Sequence, residues 1–393
     1  MEELKKEKEM FNLKRTLVAS AAVLVALSAV ADAAKYDPRM ALEKSVTEKS
    51  VRWIDGKLLP IEGRAFDNVD HYYDRLPSNV TAKVNGGVRA MRHHTAGMQF
   101  RFTTDSKKLH FKWIPYKAGL SMDHMPSTGV SGIDVYQQTP DGIWRYVKTG
   151  RITNAKGGSL TMDWTPGTPC LVNLPLYNGV KSFSLGIDPN AKISSAPPHR
   201  GASKPVVFYG TSITHGGCAS RPGLAFVNVV GRTLDVPVVN LGFSGSGVME
   251  YEMSEHLAAI DASCYVLDCL WNMGMTKADD VNNRRGRNVD ENYEPFIRNL
   301  RAKRPNVPIV MAERCDVYCR PQNSQDKFIR KLYEKLIAEG WTNLVYLPKD
   351  KMYNGDLEGT VDGCHPNDWG MMSMGKAFSA GVAQALHLPA PRD

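Results

Sequence analysis

A hydroxyl nucleophile needs a base to take its proton and donors to hold the charge that develops, and short stretches of this chain carry those residue types. In VVFYGTSITHGG, residues 206–217, four apolar residues run into Gly210-Thr211-Ser212 and then into polar and glycine positions suited to a turn entering a helix. A serine there stands at the carboxyl end of a buried strand, where helix-opening N–H groups point outward and favour negative charge. Serine is also a preferred N-cap, so the stretch alone leaves Ser212 either capping the helix or acting as a nucleophile. Near the end of the chain, TVDGCHPNDWG separates Asp362 from His365 by two residues. One loop can then let the carboxylate orient the imidazole by accepting its Nδ1 proton. VNLGFSGSG supplies Gly242, Gly245 and Gly247 in a loop whose N–H groups can face a ligand. VLDCLWNMG puts Asn272 just past another strand, where its amide can donate into the same crevice. The glycine loop lacks the Walker lysine and follows the second strand, which argues against a nucleotide site. His215, three residues after Ser212, competes for the part of base but has no aspartate at a matching spacing. It is expected, with Thr211, to line the substrate pocket.

These residues need a scaffold that brings strand ends together. Apolar strands at residues 206–209, 236–241, 265–270, 307–311 and 344–347 alternate with helix-like stretches, and their near-continuous apolar character means cover on both faces. That predicts a flavodoxin-like, doubly wound parallel α/β sheet over residues 205–393, with ligands at the carboxyl ends of the strands. Residues 34–190 differ. GMQFRFTTDSKKLHFKW alternates apolar and polar positions around a Thr-Asp-Ser turn, and GIDVYQQTPDGIWRYV reads as a hairpin around Pro140-Asp141-Gly142. An all-β, jelly-roll-like sandwich is expected there, joined by a linker at residues 191–204 rich in Pro, Ser and Ala. Within GIDVY, Asp134 and Tyr136 alternate with apolar residues and face either the catalytic half or solvent. His93-His94 form an isolated pair with a solvated or hydrogen-bonded loop as the default.

Composition excludes several classes. The 393 residues are 42% hydrophobic and 23% charged, ordinary for a globular chain with room for two domains. Lys14-Arg15, the 14-residue run Leu17 to Val30 and Ala31-Asp32-Ala33 have the form of a secretory signal over residues 1–33. The run is too short to span a bilayer, so the mature chain is expected without a membrane span, secreted or periplasmic. The net charge of +8 is spread through a chain of mixed sign and makes no nucleic-acid footprint. Its one local cluster, Arg284-Arg285-Gly286-Arg287, reads as a solvated turn. Seven cysteines leave at least one unpaired. Cys315 and Cys319 lack the partners of a zinc pattern, so no structural metal is expected. Cys218 and Cys364 would form a bridge if their loops meet.

Taken in order, YGTSIT, NLGFSG, LWNMG and VDGCHPND resemble the blocks of the SGNH hydrolases, also called the GDSL esterase family. The resemblance implies Ser212 as nucleophile, Gly242 as backbone oxyanion donor, Asn272 as side-chain oxyanion donor, and Asp362 with His365 as the Asp-x-x-His block. Two positions depart from the family pattern: Thr211 replaces the usual aspartate, and LWNMG lacks the glycine before and the aspartate after the asparagine. GIDVY, Gly132 to Tyr136, is similar to the Gly-x-Asp-Leu-Tyr signature of a bacterial subgroup whose hydrolase domain follows a β-sandwich. The subgroup implies esterase action on O-acylated, chiefly O-acetylated, polysaccharide or oligosaccharide, without metal or organic cofactor. A short-chain lipid or general carboxylesterase, and a catalytically silent glycan-binding protein, are the alternatives.

Overall fold

The computed structural model describes residue 40 and residues 44–275, 287–318, 320–353 and 355–391. The signal-like segment, most of the arginine cluster and Cys319 lie outside the described residues.

The amino-terminal half folds as two antiparallel sheets. One runs in the order β1 (Val46–Glu48), β2 (Val51–Asp55), β10 (Val180–Ile187), β5 (Lys108–Pro115), β8 (Gly158–Asp163). The other runs β11 (Ile193–Ser195), β4 (Gln99–Thr104), β9 (Pro169–Asn173), β6 (Ile133–Gln138), β7 (Trp144–Gly150), with β3 (Ile61–Glu62) also on β4. The alternation in β5 does what a half-buried strand should: Leu109, Phe111 and Trp113 are buried between exposed or half-exposed neighbours. They meet Phe100 and Phe183, stacked at 4.6 Å, in one core. β11 falls inside the stretch read as linker; Ile193 is buried and pairs with Thr104, so the sheet continues to Ser195 before the chain crosses over.

The carboxyl-terminal half is a five-stranded parallel sheet in the order β13 (Val238–Gly242), β12 (Val206–Gly210), β14 (Cys264–Asp268), β15 (Ile309–Ala312), β16 (Leu344–Leu347). This is the flavodoxin order, with its switch point between the first and third strands. Every residue of β12, β13 and β14 is buried, because helices cover both faces. Val206 and Phe208 pack with Phe226 and Phe378; Val207 and Tyr209 point the other way, toward Met253, Tyr293 and Phe296.

Polar ties hold the halves together, two of them centred on the buried aspartates Asp134 and Asp235. Asp134, fully buried, accepts from Arg221 at 2.9 Å and from the Gly223 N–H at 2.8 Å, and Arg221 also donates to the Tyr136 hydroxyl at 2.5 Å. The GIDVY strand therefore faces the catalytic half. A β-carbon on Gly223 would meet Tyr136 at 2.5 Å, so the close approach requires glycine. In the second tie, His199 bridges Glu62 and Asp235 at 3.1 Å each, with Arg101 at 3.1 Å from Glu62. Burial raises both carboxyls, but His199, Arg101 and Arg200 outweigh it and hold each at about 2.

Candidate active site

Thr211, not Ser212, caps the helix after β12. Its hydroxyl accepts from the Ile213 N–H, and the Thr214 hydroxyl reciprocates at the Thr211 N–H, a capping box at the head of α1 (Ser212–His215). Ser212 is thereby left free of capping duty in the first turn, and its Oγ lies 2.9 Å from His365 Nε2. His365 Nδ1 lies 2.7 Å from Asp362 Oδ2, and the other Asp362 oxygen accepts from the His365 N–H at 2.7 Å and the Cys364 N–H at 3.0 Å. Burial raises the Asp362 carboxyl, but these bonds outweigh it and hold it at about 2, so it is a carboxylate at neutral pH. Nδ1 then carries the proton and Nε2 presents its lone pair to the serine.

The histidine loop is fastened to the serine loop. The Cys218 N–H donates to the Pro366 carbonyl at 3.1 Å, and Asp368 accepts from the Ser220 N–H at 2.7 Å and hydroxyl at 2.5 Å. Asp368 opens α2 (Asp368–Leu386), whose N-cap is Asn367. Residues 153 apart in sequence are fixed by three bonds within a few positions of the reacting groups.

Three expected site residues stand elsewhere than the spacing suggests. The Gly242 N–H is already used: it donates to Asn240 Oδ1 at 2.8 Å, and a β-carbon there would meet the His215 nitrogen at 2.2 Å. Gly242 is a close-packing glycine, not an oxyanion donor. Three residues on, Gly245 is exposed with φ 63°, and among the described residues neither Ser244 nor Gly245 gives its N–H to a protein acceptor. Ser212 likewise has an unspent N–H, as the first residue of a helix must. Thr211 and His215 are both fully buried and line no open pocket.

His215 instead sits in a polar cluster beneath the site. Its Nε2 lies 3.2 Å from His94 Nδ1 and 3.5 Å from Arg75, and its ring stacks on Tyr177 at 4.1 Å. Burial, then the charge of Arg75, pushes His215 well below the usual histidine range; burial and Lys117 do the same to His94. Both are neutral, and His215 is too weak a base and too deep to replace His365. Arg75 reaches from the β half to donate to the carbonyls of Asn240 at 3.0 Å and Gly242 at 2.8 Å. The solvated or hydrogen-bonded default for His93-His94 resolves to hydrogen bonding: His93 Nδ1 lies 2.7 Å from Asp74.

Asn272 is brought to the same loop, its amide donating to the carbonyls of Phe243 at 3.4 Å and Gly247 at 3.3 Å. Both bonds are at the long end of normal geometry. Sequence spacing missed Tyr177, whose hydroxyl donates to the Ser212 carbonyl at 2.9 Å, and Asn240, which donates to the Thr214 carbonyl at 2.7 Å while accepting from Gly242. At the end of β14, Asp268 takes the Thr214 hydroxyl at 2.6 Å; burial, opposed by that bond and one from Cys315, raises its carboxyl to about 7. Cys218 and Cys364 are unbridged thiols. No helix among the described residues is long and apolar enough to cross a membrane.

Comparison with known proteins gives two domain matches. Residues 203–383 match the GDSL-like lipase/acylhydrolase family, and residues 51–193 match the GxDLY family, the N-terminus of SGNH-hydrolase-type esterases. No curated protein matches the chain. Among solved structures, a protein of Bacteroides ovatus described as a GDSL-like lipase is 27% identical, with a TM-score of 0.74 over 87% of this chain and 100% of its own. The salicylyl-acyltransferase SsfX3 of a tetracycline biosynthetic pathway is 18% identical, with a TM-score of 0.69 over 88% of this chain and 100% of its own. A family two carbohydrate esterase from Clostridium thermocellum, in complex with cellohexaose, is 12% identical, with a TM-score of 0.52 over 74% of this chain and 93% of its own. The last two likenesses concern the fold alone.

Proposed function

Because the chain is a GDSL-like lipase/acylhydrolase with the GxDLY amino-terminal domain of SGNH-type esterases, we propose that it removes O-acyl groups, chiefly O-acetyl, from carbohydrate through an acyl-serine intermediate. The observation that carries the mechanism is the line Ser212 Oγ, His365 and Asp362, with successive contacts of 2.9 and 2.7 Å. His365 Nε2 takes the Ser212 proton as Oγ attacks the ester carbonyl, while Asp362 holds the Nδ1–H tautomer and stabilises the imidazolium. The carbonyl oxygen becomes an oxyanion held by the Ser212 N–H, the Gly245 N–H and the Asn272 amide, whose long bonds to Phe243 and Gly247 are readily exchanged for a charged acceptor. Collapse breaks the bond to the sugar oxygen, which takes the proton from His365. Water, deprotonated by the same ring, then attacks the acyl-serine and releases acetate and the free serine.

Support for a carbohydrate comes from the shape of the surroundings. The side chains of His365 and Asp362 are 22% and 39% exposed, as an open, shallow site for a broad substrate requires and a closed acyl tunnel does not. Trp369, four residues past His365, is 59% exposed and offers an indole face on which a sugar ring can stack. The family two carbohydrate esterase is consistent with that reading at the level of fold. Release to the periplasm or exterior belongs to the same proposal, on the strength of the Leu17–Val30 run and Ala31-Asp32-Ala33.

The test is acetate release from acetylated xylan and acetylated pectin by the chain from Ala34 onward, beside Ser212→Ala and deacetylated polymers. Release that depends on both Ser212 and the acetyl groups is expected. Hydrolysis of a small aryl acetate with none from either polymer would leave the esterase and discard the substrate.

A further inference from the structure

Next to the His365 ring the structure gathers two groups for which acyl transfer has no use. Cys218, six residues past Ser212, is only 4% exposed, and its sulfur points into the site from the serine loop. His124 comes from the β half, between Met122 and Met125, which bridge each other at 3.0 and 3.1 Å and so hold its loop. Its ring centroid lies 5.5 Å from that of His365. One nitrogen from each imidazole and the Cys218 sulfur all lie within 4.8 Å of one another.

We propose that His124, Cys218 and His365 form a site for a thiophilic divalent cation, zinc above all, whose binding switches the enzyme off. Two imidazoles and a thiolate are a donor set that zinc prefers and that hard, oxygen-seeking ions such as Mg²⁺ and Ca²⁺ do not. Around tetrahedral zinc, nitrogen and sulfur ligands stand about 3.5 Å apart, given bonds of about 2.0 and 2.3 Å. Closing from 4.8 Å takes side-chain rotation, and the exposed His124 is the member free to supply it. A water completes the fourth position.

The consequence for catalysis follows from the imidazole itself. A neutral ring has one lone pair in its plane and one N–H. A cation on Nε2 takes the lone pair that must receive the serine proton. A cation on Nδ1 displaces Asp362 and forces the proton onto Nε2, facing Ser212. Either way the base is gone while the metal stays. The cation must expel the proton of the Cys218 thiol as it binds. The inhibitory consequence rests on His365 being the esterase base; the binding does not.

The experiment uses the whole metal-free chain with a non-thiol reductant, zinc chloride as probe and magnesium chloride as control. Equilibrium dialysis reads binding, and turnover of an aryl acetate reads inhibition. One zinc per chain, loss of turnover at that stoichiometry, recovery with EDTA and no response to magnesium are expected. His124→Ala, at an exposed position, and Cys218→Ala should keep turnover without zinc and bind zinc at least about tenfold more weakly. Zinc binding or inhibition unchanged in both variants, or lost in Cys364→Ala instead, overturns the site. A chain without turnover that still loses zinc affinity in both variants overturns the esterase reading and not the site.

Discussion

The hydroxyl of Tyr177 donates a 2.9 Å hydrogen bond to the carbonyl oxygen of Ser212. The same oxygen accepts from the Gly216 and Gly217 N–H groups at 3.1 and 3.0 Å, and the Tyr177 ring stacks on His215 at the end of that turn. A residue of the β half thus braces the serine turn, and the β domain belongs to the active site's support. Tyr177→Phe keeps the stacking and removes one bond worth about 0.5–1.5 kcal/mol. Steady-state kinetics should show kcat/KM down by about 2-fold to 10-fold; an unchanged value would remove the brace from the account.

Asp362→Asn leaves the loop's shape possible but replaces the carboxylate that fixes the His365 tautomer. The expected loss in kcat is about 10²–10⁴-fold, with KM little changed. The side chain is 39% exposed, so water can partly substitute and the lower part of that range is the more relevant. A loss under 10-fold on an aryl acetate would mean that another group orients the ring.

Asn240 clips two strand-end loops together and is fully buried. In Asn240→Ala the Thr214 carbonyl and Gly242 N–H lose their partner in a place water does not reach. Destabilisation of about 1–3 kcal/mol is expected in urea unfolding, together with a fall in kcat as the serine turn loosens. Full stability would show that the two groups find other partners.

Asp268 gives the protein a pH-dependent weakness. Its carboxyl, ordinarily at 3.8, is raised to about 7 in the fold, so the folded state holds this proton more tightly than the unfolded chain. The stability it contributes is complete below about 4 and is lost as pH rises through about 7. Glu62, Asp235 and Asp362, held at about 2, act oppositely: their contribution is present above their ordinary values and lost as pH falls toward 2. Asp268→Asn keeps an acceptor for the Thr214 hydroxyl and carries no titrating group. Its loss of thermal stability between pH 4.5 and 7.5 should be smaller than that of the parent chain; parallel profiles would contradict the assignment.

The parts of the site that were legible in sequence are those fixed by short-range geometry. Ser212 follows a buried strand, and Asp362 and His365 share one loop, so their relation needs only three residues of chain. The two-domain plan was legible because strand periodicity changes from alternating to continuous. Gly242 and Gly245 could not be told apart, since both follow the same strand; the choice turns on the Asn240 carboxamide, which folds back onto Gly242. Thr211 and His215 read as pocket residues because nothing near them in sequence shows that both are buried. For His215 that cover is Arg75, His94 and Tyr177, brought from the β half.

The most direct test is covalent. An organophosphonate bearing a good leaving group should add once to the chain, and peptide mapping should place the adduct on Ser212, with labelling lost in Ser212→Ala and greatly slowed in His365→Ala. An adduct on another residue, or undiminished labelling in His365→Ala, would contradict Ser212 as a nucleophile activated by His365.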